Sequence, residues 1–278
     1  MGTLYLVATP IGNLEDITAR ALRVLAEVAL IASEDTRHTG RLLSHFGIST
    51  PMVSLHQHNE RSRRERLLTA LESGDVAVVS DAGTPGISDP GFDLVTAAVA
   101  SGIAVSPVPG PSSVIAAVSA SGLVPGPFIS LGFVPRSGAE RRQLLMRAGH
   151  SGFPIVLFEA ANRLASTLAE LSDLLGDREA VIARELTKLY EEFRRGSLAE
   201  LAAYYAAEPA RGEIVMVVGE ATANESHTTD PETIVSSLLQ AGLKPSAAAR
   251  EAAALTGLPR ADLYAIAIAL GKGSSGES

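Results

Sequence analysis

The chain has 278 residues, enough for one large or two ordinary domains, and its 46% hydrophobic and 19% charged residues are typical of folded proteins rather than disordered ones. It contains 0 Cys, which excludes disulfides, thiolate zinc sites and a cysteine nucleophile. The net charge of −8 argues against a general polyanion binder, so a nucleic-acid partner would have to be held by a local basic patch.

The first ten residues show no basic segment followed by a long apolar stretch, and no run of about 18 uncharged apolar residues occurs. We therefore expect a cytoplasmic protein without a membrane partner.

The first part of the chain alternates short β-branched runs with amphipathic stretches, a pattern typical of βα units that build a mostly parallel sheet. Ile17, Ala21, Leu25 and Val28, for example, fall on one helix face. The predicted strands are Leu4–Ala8, Leu30–Ser33, Met52–Leu55, Val76–Ser80 and Ile103–Pro107. The proline-rich stretch that follows cannot continue a central strand, so we expect an N-terminal α/β domain over residues 1–110.

The middle of the chain repeats the mixture of strands and helices, and two of its later strands lie close together in sequence, which favours a mixed sheet. The predicted strands are Phe128–Leu131, Ile155–Phe158, Val181–Arg184, Glu191–Arg195 and Ile214–Val218. The predicted helices are Ala139–Ala148, Arg163–Leu175 and Leu198–Ala206. This pattern predicts a C-terminal α/β domain over residues 111–220.

The residue pattern changes in the last part of the chain, where it predicts helices and no strands. Pro231–Ala241, Lys244–Thr256 and Pro259–Leu270 have helical spacing and are separated by glycines. We expect a small helical domain over residues 230–271 and a disordered tail over 272–278.

Three loops rich in glycine and proline follow predicted strands, at Thr9–Leu14, Ser80–Pro90 and Pro109–Ser113. Ligands in α/β sheets bind at the carboxyl ends of strands, where glycines let the backbone approach closely, so the loops predict one ligand cleft between the two halves. None matches a phosphate-cradling motif. The alternative for Ser80–Pro90 is a structural turn, with Asp89 capping a helix and Pro90 in its first position.

These loops belong to a longer series of sequence strings. The others are Ser33–Thr39, Gly132–Pro135, Arg184–Phe193 and Arg211–Val215. In this order, over roughly residues 3–218, the chain resembles the ribosomal RNA small subunit methyltransferase I family, and its helical end is similar to that family's C-terminal extension.

The resemblance implies transfer of a methyl group from S-adenosylmethionine to a ribose 2′-hydroxyl of a cytidine in the decoding region of the small ribosomal subunit. It also implies an α/β fold of the tetrapyrrole (precorrin) methylase type, with two α/β domains, the cofactor cleft between them, and a homodimer. By resemblance, the cofactor-binding residues are Pro10, Asp81, Ala82, Gly83, Ile87, Ser88, Ser112, Ser113 and Phe133, with Glu213 and Ile214 near the adenine.

The chain departs from the family at Glu159–Arg163 (EAANR), where the family commonly has ESPHR. A role that the family gives to that histidine cannot be carried over.

Methyl transfer from a sulfonium requires an in-line approach and removal of a proton, and needs no metal. The candidates for the base lie in two polar clusters, Glu34, Asp35, Arg37 and His38 at a strand end, and Glu185 with Lys188; the first is favoured slightly. The alternatives are a helix cap at Asp35 and a solvated pair at Glu185 and Lys188. A metal site at His56 and His58 is disfavoured because a third ligand is missing.

The expected RNA-binding surface consists of arginines in two groups, because guanidinium suits phosphate and stacking contacts. These are Arg61, Arg63 and Arg64, and Arg136, Arg141 and Arg142. The alternative for the first group is a solvated helix face, since it alternates with Glu60 and Glu65.

Two other functions stay open from the sequence. A tetrapyrrole methylase would also bind a polyanionic substrate in an arginine-lined cleft. A ribosome-assembly factor could bind RNA without catalysis, although intact loops argue against such a loss.

Overall fold

A computed structural model describes residues 1–56, 58–87, 91–220, 231–240, 242–256 and 258–273. The chain divides into two compact units. The first contains Met1–Ala116 and the segment Glu185–Glu191, and the second contains Ala117–Arg184 and Glu192–Ser278.

The first unit is built on a five-stranded parallel sheet. In chain order, its strands are β1 (Thr3–Val7), β2 (Leu30–Ser33), β3 (Met52–Ser54), β4 (Val76–Val79) and β5 (Ala104–Val108). Their order across the sheet is β3-β2-β4-β1-β5. Because all the strands run in the same direction, the loops that follow them emerge at one edge.

Helices alternate with these strands, as the sequence predicts for βα units. They are α1 (Ala19–Glu27), α2 (Thr36–His45), α3 (Glu60–Ser73) and α4 (Phe92–Ala100), followed by α5 (Ser113–Ser121), which begins in the first unit and ends in the second. Strand β4 shows why the sheet is covered on both faces: Val76 and Val78 pack in one apolar cluster, and Ala77 and Val79 in another.

Strand β5 contains Pro107, which pairs in register with Leu6 of β1. Proline is tolerated there because β5 lies at the edge of the sheet, where its missing N–H leaves no ladder bond unmade. The strand continues to Val108, one residue beyond its predicted end.

The second unit contains a mixed sheet, as predicted. Its strands are β6 (Ile129–Phe133), β7 (Ile155–Ala160), β8 (Glu179–Arg184), β9 (Glu192–Ser197) and β10 (Glu213–Val218), in the order β6-β7-β10-β8-β9. Only β6 and β7 pair in parallel; the other described pairs are antiparallel. The helices that accompany the sheet are α6 (Ala139–Gly149), α7 (Leu164–Leu175) and α8 (Leu198–Ala207).

Three more helices end the second unit: α9 (Pro231–Gln240), α10 (Pro245–Thr256) and α11 (Arg260–Gly273). Ile234, Leu238, Ala249 and Leu263 form a small core that includes Met146 of α6. Helix α11 includes residues 272 and 273, which the sequence assigned to the tail, whereas residues 274–278 lie outside the described ranges. Within those ranges, the structure has no helix with the length and apolarity to cross a membrane.

Candidate active site

The three loops rich in glycine and proline meet at the carboxyl edge of the parallel sheet. Thr9 and Gly83 exchange two backbone hydrogen bonds of 2.9 and 3.0 Å, and the Thr9 hydroxyl donates to the Ser80 carbonyl at 3.2 Å. The Thr84 hydroxyl donates to the Pro111 carbonyl at 3.3 Å. The loops after β1, β4 and β5, whose strands lie in the order β4-β1-β5, are therefore joined by hydrogen bonds within the first unit.

Gly83 lies at the contact of all three loops. Its φ of +80° is a conformation that other residues rarely adopt, and a Cβ there would lie 3.5 Å from Ile11 and 3.9 Å from the Pro111 carbonyl oxygen. Ala82 and Ile87 are exposed beside it. Small residues at a strand end let a ligand approach the backbone closely.

The polar residues after β2 join the loop after β4 through the backbone. The Asp81 N–H donates to Glu34 Oε2 at 3.3 Å, and the Asp35 N–H donates to Asp81 Oδ1 at 3.0 Å. Burial raises the pKa of the Glu34 carboxyl above its ordinary value of 4.5, and the hydrogen bond from Asp81 N–H opposes this rise. The first predicted catalytic cluster thus lies against the predicted cofactor loop.

Asp35 and Arg37 have a local structural role. Asp35 is the N-cap of α2, and its Oδ1 accepts from the Arg37 N–H at 2.8 Å. The Arg37 guanidinium donates to Oδ2 at 2.8 Å, and this bond lowers the pKa of Asp35. A carboxylate with a lowered pKa is a weaker base, so these bonds favour the helix-cap interpretation. His38 is exposed on the same helix.

The second polar cluster lies on the segment Glu185–Glu191, which packs in the first unit. Lys188 Nζ donates to Glu185 Oε1 at 2.9 Å. A Cβ on Gly12 would lie 2.5 Å from Lys188 Cγ and 2.9 Å from the Leu186 carbonyl oxygen. Only glycine therefore fits at position 12, and the second cluster lies beside the loop after β1.

The same segment contains a strained backbone that the sequence did not reveal. Glu185 and Thr187 have φ values of 52° and 63°, which β-branched residues such as threonine rarely adopt. The Thr187 N–H donates to Glu191 Oε2 at 2.6 Å, and this bond helps to hold the turn.

The cofactor residues predicted in the second unit differ in exposure. Phe133 is 64% exposed, and its ring lies 5.1 Å from that of Phe158. Glu213 is exposed at the start of β10. The side chain of Ile214, which is 4% exposed, packs in the core, and its place near the adenine stays a prediction. Ser88, Asp89 and Pro90 lie outside the described residues.

Arg141, a predicted RNA-binding residue, lies in a buried ion network, which argues for a structural role. Its side chain is 5% exposed and pairs with Glu159 at 3.5 Å and Glu170 at 2.7 Å. Glu159 also accepts from the Thr167 hydroxyl at 2.7 Å and pairs with Arg163. Burial among these partners leaves the Arg141 guanidinium no access to a phosphate.

The other predicted RNA-binding arginines are more accessible. On α3, Arg61 is exposed and Arg63 and Arg64 are half-buried, and none of the three pairs with a carboxylate among the described residues. Arg136 is exposed and Arg142 half-buried. The alternative of a solvated helix face stays open for α3, since Arg61 and Glu65 are exposed although Glu60 is buried.

The two histidines that precede α3 lack a third metal ligand among the described residues. The rings of His56 and His58 lie 6.1 Å apart, and His56 Nε2 is 3.1 Å from the amide nitrogen of Asn59. Across the residues that the structure describes, no three His, Cys, Asp or Glu side chains are grouped as metal ligands would be.

Solved structures with similar folds include two methyltransferases. Uroporphyrin III C-methyltransferase from Thermus thermophilus matches with a TM-score of 0.57 and 22% identity, over 79% of this chain and 98% of that one. A second structure of that enzyme, complexed with S-adenosyl homocysteine, matches equally well, with a TM-score of 0.57. The methyltransferase CobJ has a TM-score of 0.59, 19% identity and coverage of 80% and 95%. At these identities the likeness shows the fold.

The sequence comparisons identify the family of the chain. The family Tetrapyrrole (Corrin/Porphyrin) Methylases matches residues 3–202, and the RsmI C-terminal HTH domain matches residues 226–271. A Synechocystis protein named ribosomal RNA small subunit methyltransferase I is 46% identical over 97% of this chain and 99% of its own length. The protein of that name from Xylella fastidiosa is 48% identical over 95% and 98%. The chain therefore belongs to the ribosomal RNA small subunit methyltransferase I family of tetrapyrrole methylase-like enzymes.

Proposed function

We propose that this protein transfers a methyl group from S-adenosylmethionine to the ribose 2′-hydroxyl of a cytidine in the decoding region of small-subunit ribosomal RNA. The proposal is supported mainly by one observation. Hydrogen bonds hold the three loops rich in glycine and proline together at one edge of the sheet, and the Asp81 N–H of one loop donates to the Glu34 carboxylate. The names of the near full-length relatives support the RNA substrate. The structural neighbour with bound S-adenosyl homocysteine supports the cofactor.

The cofactor, when bound, supplies an electrophilic methyl group on a sulfonium. In the first unit, we assign its binding to Pro10, to Asp81–Gly83, to Ile87 and Ser88, and to Ser112 and Ser113. Phe133 and Glu213 are the contacts proposed from the second unit. Positioning is the main task of these residues, because the transfer neutralises charge rather than creating an oxyanion.

We assign the general base to Glu34. A ribose hydroxyl is a weak acid, and a carboxylate with a raised pKa accepts its proton more readily than an ordinary one. Glu34 is also bonded to the backbone of Asp81, so cofactor loop and base are held together. Lys188 is the second candidate, and its Nζ donates a hydrogen bond to Glu185 Oε1 at 2.9 Å.

The proposed partner is the small ribosomal subunit, bound through the arginines of α3 and through Arg136 and Arg142. A ribosomal substrate supports a cytoplasmic location for the enzyme. We also propose that the enzyme forms a homodimer.

Labelled S-adenosylmethionine tests the proposal. The purified protein is incubated with small subunits that lack the modification, and with protein-free ribosomal RNA and a tetrapyrrole precursor in parallel. We expect label on one cytidine ribose of the subunit. Label on the tetrapyrrole alone would overturn the substrate, and cofactor binding with no transfer to any acceptor would favour the non-catalytic assembly factor.

A further inference from the structure

The segment Glu185–Glu191 exposes two large hydrophobic side chains to solvent. Leu189 is 88% exposed and Tyr190 is 70% exposed. Both residues are consecutive in a segment that belongs to the first unit and packs beside the loop after β1. Large apolar side chains that stay in water give up the free energy of burial, so an adjacent pair of them indicates contact with a partner.

Hydrogen bonds within the segment fix its conformation. The Lys188 N–H donates to the Glu185 carbonyl at 3.0 Å, and the Glu191 N–H donates to the Lys188 carbonyl at 3.1 Å. The Thr187 N–H donates to Glu191 Oε2 at 2.6 Å, and Leu186 is buried. Leu189 and Tyr190 therefore extend from a closed turn, and a side chain held in this way loses little conformational entropy when it binds a partner.

The same turn has two features that reduce stability. Glu185 and Thr187 have positive φ values, and Thr187 Oγ1 is buried without a hydrogen-bond partner among the described residues. Backbone strain and an unsatisfied buried hydroxyl persist where a conformation serves a function. The stability of the fold therefore does not account for a turn that exposes Leu189 and Tyr190.

The turn is in contact with the proposed active site of the first unit. A Cβ on Gly12 would lie 2.9 Å from the Leu186 carbonyl oxygen and 2.9 Å from Thr187 Oγ1. Gly12 belongs to the loop after β1, whose Thr9 exchanges two backbone hydrogen bonds with Gly83 of the proposed cofactor loop. An acceptor ribose has to lie within about 3.5 Å of the methyl group, so the nucleotides beside it come close to this turn.

The charged groups of the turn are bonded within it. Lys188 Nζ donates to Glu185 Oε1 at 2.9 Å, and Glu191 accepts from the Thr187 backbone. The exposed part of the turn therefore consists of an aliphatic and an aromatic side chain rather than a cation for a phosphate. Unpaired RNA bases bind to proteins by stacking on aromatic rings of this kind.

We propose that Tyr190 is a substrate-binding residue that stacks against an unpaired base of the ribosomal RNA beside the target ribose. This inference rests on the proposed function, because it requires an RNA substrate at this edge of the parallel sheet. A stacked base contributes to binding of the RNA and not to binding of the cofactor, so the two affinities separate this role from a structural one.

Tryptophan fluorescence tests the stacking directly. The chain contains 0 Trp, so Tyr190→Trp introduces a single reporter that keeps a flat aromatic face. Phe153→Trp is the matched control, since Phe153 is an exposed aromatic residue before β7 in the second unit. Both variants are titrated with small subunits that lack the modification, and the control corrects for light absorbed by the RNA. We expect saturable quenching in the Tyr190→Trp variant alone.

Kinetics test the contribution to binding. Tyr190→Ala should raise the KM for small subunits by about ten-fold, which lies within the range for one stacked base. Tyr190→Phe keeps the ring and should stay within about two-fold of wild type. The Kd for S-adenosylhomocysteine, measured by calorimetry, should change by less than about two-fold in both variants.

A wild-type KM for small subunits in a Tyr190→Ala protein that is folded by circular dichroism would overturn the inference, as would equal quenching in the two tryptophan variants. An equal loss of affinity for S-adenosylhomocysteine would assign Tyr190 to the cofactor and overturn it too. Conversion of Tyr190→Ala from dimer to monomer in ultracentrifugation would place the residue between two copies of the chain, with the same consequence. If the wild-type protein itself transfers no methyl group to small subunits, the proposed function fails instead.

Discussion

The two units each place a glutamate at the carboxyl end of a strand, but the two side chains have different surroundings. Glu34 follows β2 and accepts a hydrogen bond from the Asp81 N–H, and burial raises its pKa. Glu159 lies in β7, is 2% exposed, and pairs with both Arg141 and Arg163. The first carboxylate is half-buried beside the loops, whereas the second is fixed in a buried ion network.

This difference shows why residue type alone cannot separate chemistry from structure. Both glutamates follow apolar runs in the sequence, and both lie near arginines along the chain. Only the packing distinguishes them. Arg141 and Arg163 pair with Glu159 in the second unit, whereas Glu34 accepts a hydrogen bond from the loop after β4. Variants that break one network and spare the other therefore test the assignment.

The largest expected effect is on the stability of the second unit. Arg141→Ala removes the buried partner of Glu159 and Glu170, and we expect a loss of about 3 kcal/mol, the low end for a broken buried pair, because Arg163 still pairs with Glu159. Urea unfolding measures the loss. Arg136→Ala is the control, because Arg136 is exposed in the same region and its removal should change stability by less than about 0.5 kcal/mol. Equal stability of the two variants would contradict the buried network.

The next effect is on catalysis in the first unit. Glu34→Gln removes the proposed base but keeps an oxygen that accepts from the Asp81 N–H, so kcat should fall by about 100-fold, the lower range for general-base catalysis. The Kd for S-adenosylhomocysteine should change little. Single-turnover methyl transfer and calorimetry measure the two quantities, and an unchanged kcat would move the base to the cluster of Glu185 and Lys188.

The raised pKa of Glu34 gives a prediction with a definite sign. The base acts as a carboxylate, so the kcat of the wild-type enzyme should fall as the pH decreases through this raised pKa. Folding favours the protonated form, and the stability this contributes is present below 4.5 and lost as the pH rises through the raised pKa. The melting temperature of Glu34→Gln relative to wild type should therefore increase across that window and stay constant above it.

A smaller effect is expected at the cofactor loop. Asp81→Ala removes the acceptor of the Asp35 N–H and should weaken binding of S-adenosylhomocysteine by about ten-fold, since a lost hydrogen bond of this kind costs about 1.4 kcal/mol. Asp81→Asn keeps that acceptor and serves as the comparison. Unchanged affinity in a folded Asp81→Ala protein would remove Asp81 from the proposed site.

The sequence predicted the sheets and the loops well because both depend on local patterns. Apolar runs and glycine-proline loops located the strands and the three loops after β1, β4 and β5. The surroundings of single side chains depend on contacts distant in sequence. Arg141 pairs with Glu159 and Glu170, Ile214 packs in the core, and Glu60 accepts a hydrogen bond at the start of α4. Nothing in the sequence predicted the positive φ of Thr187 either.

The smallest effect is expected on α3, and it completes the comparison between an exposed arginine and a buried one. Arg61 is exposed and, within the described part of the chain, has no paired carboxylate, so Arg61→Ala should leave unfolding unchanged. If Arg61 contacts a phosphate, its loss should weaken binding to small subunits only a few-fold and reduce the slope of log K against log salt by about 1. Filter binding at several salt concentrations measures the slope. An unchanged slope for Arg61→Ala and for Arg64→Ala would mean that RNA is bound elsewhere, because a phosphate contact cannot be lost without releasing fewer counterions.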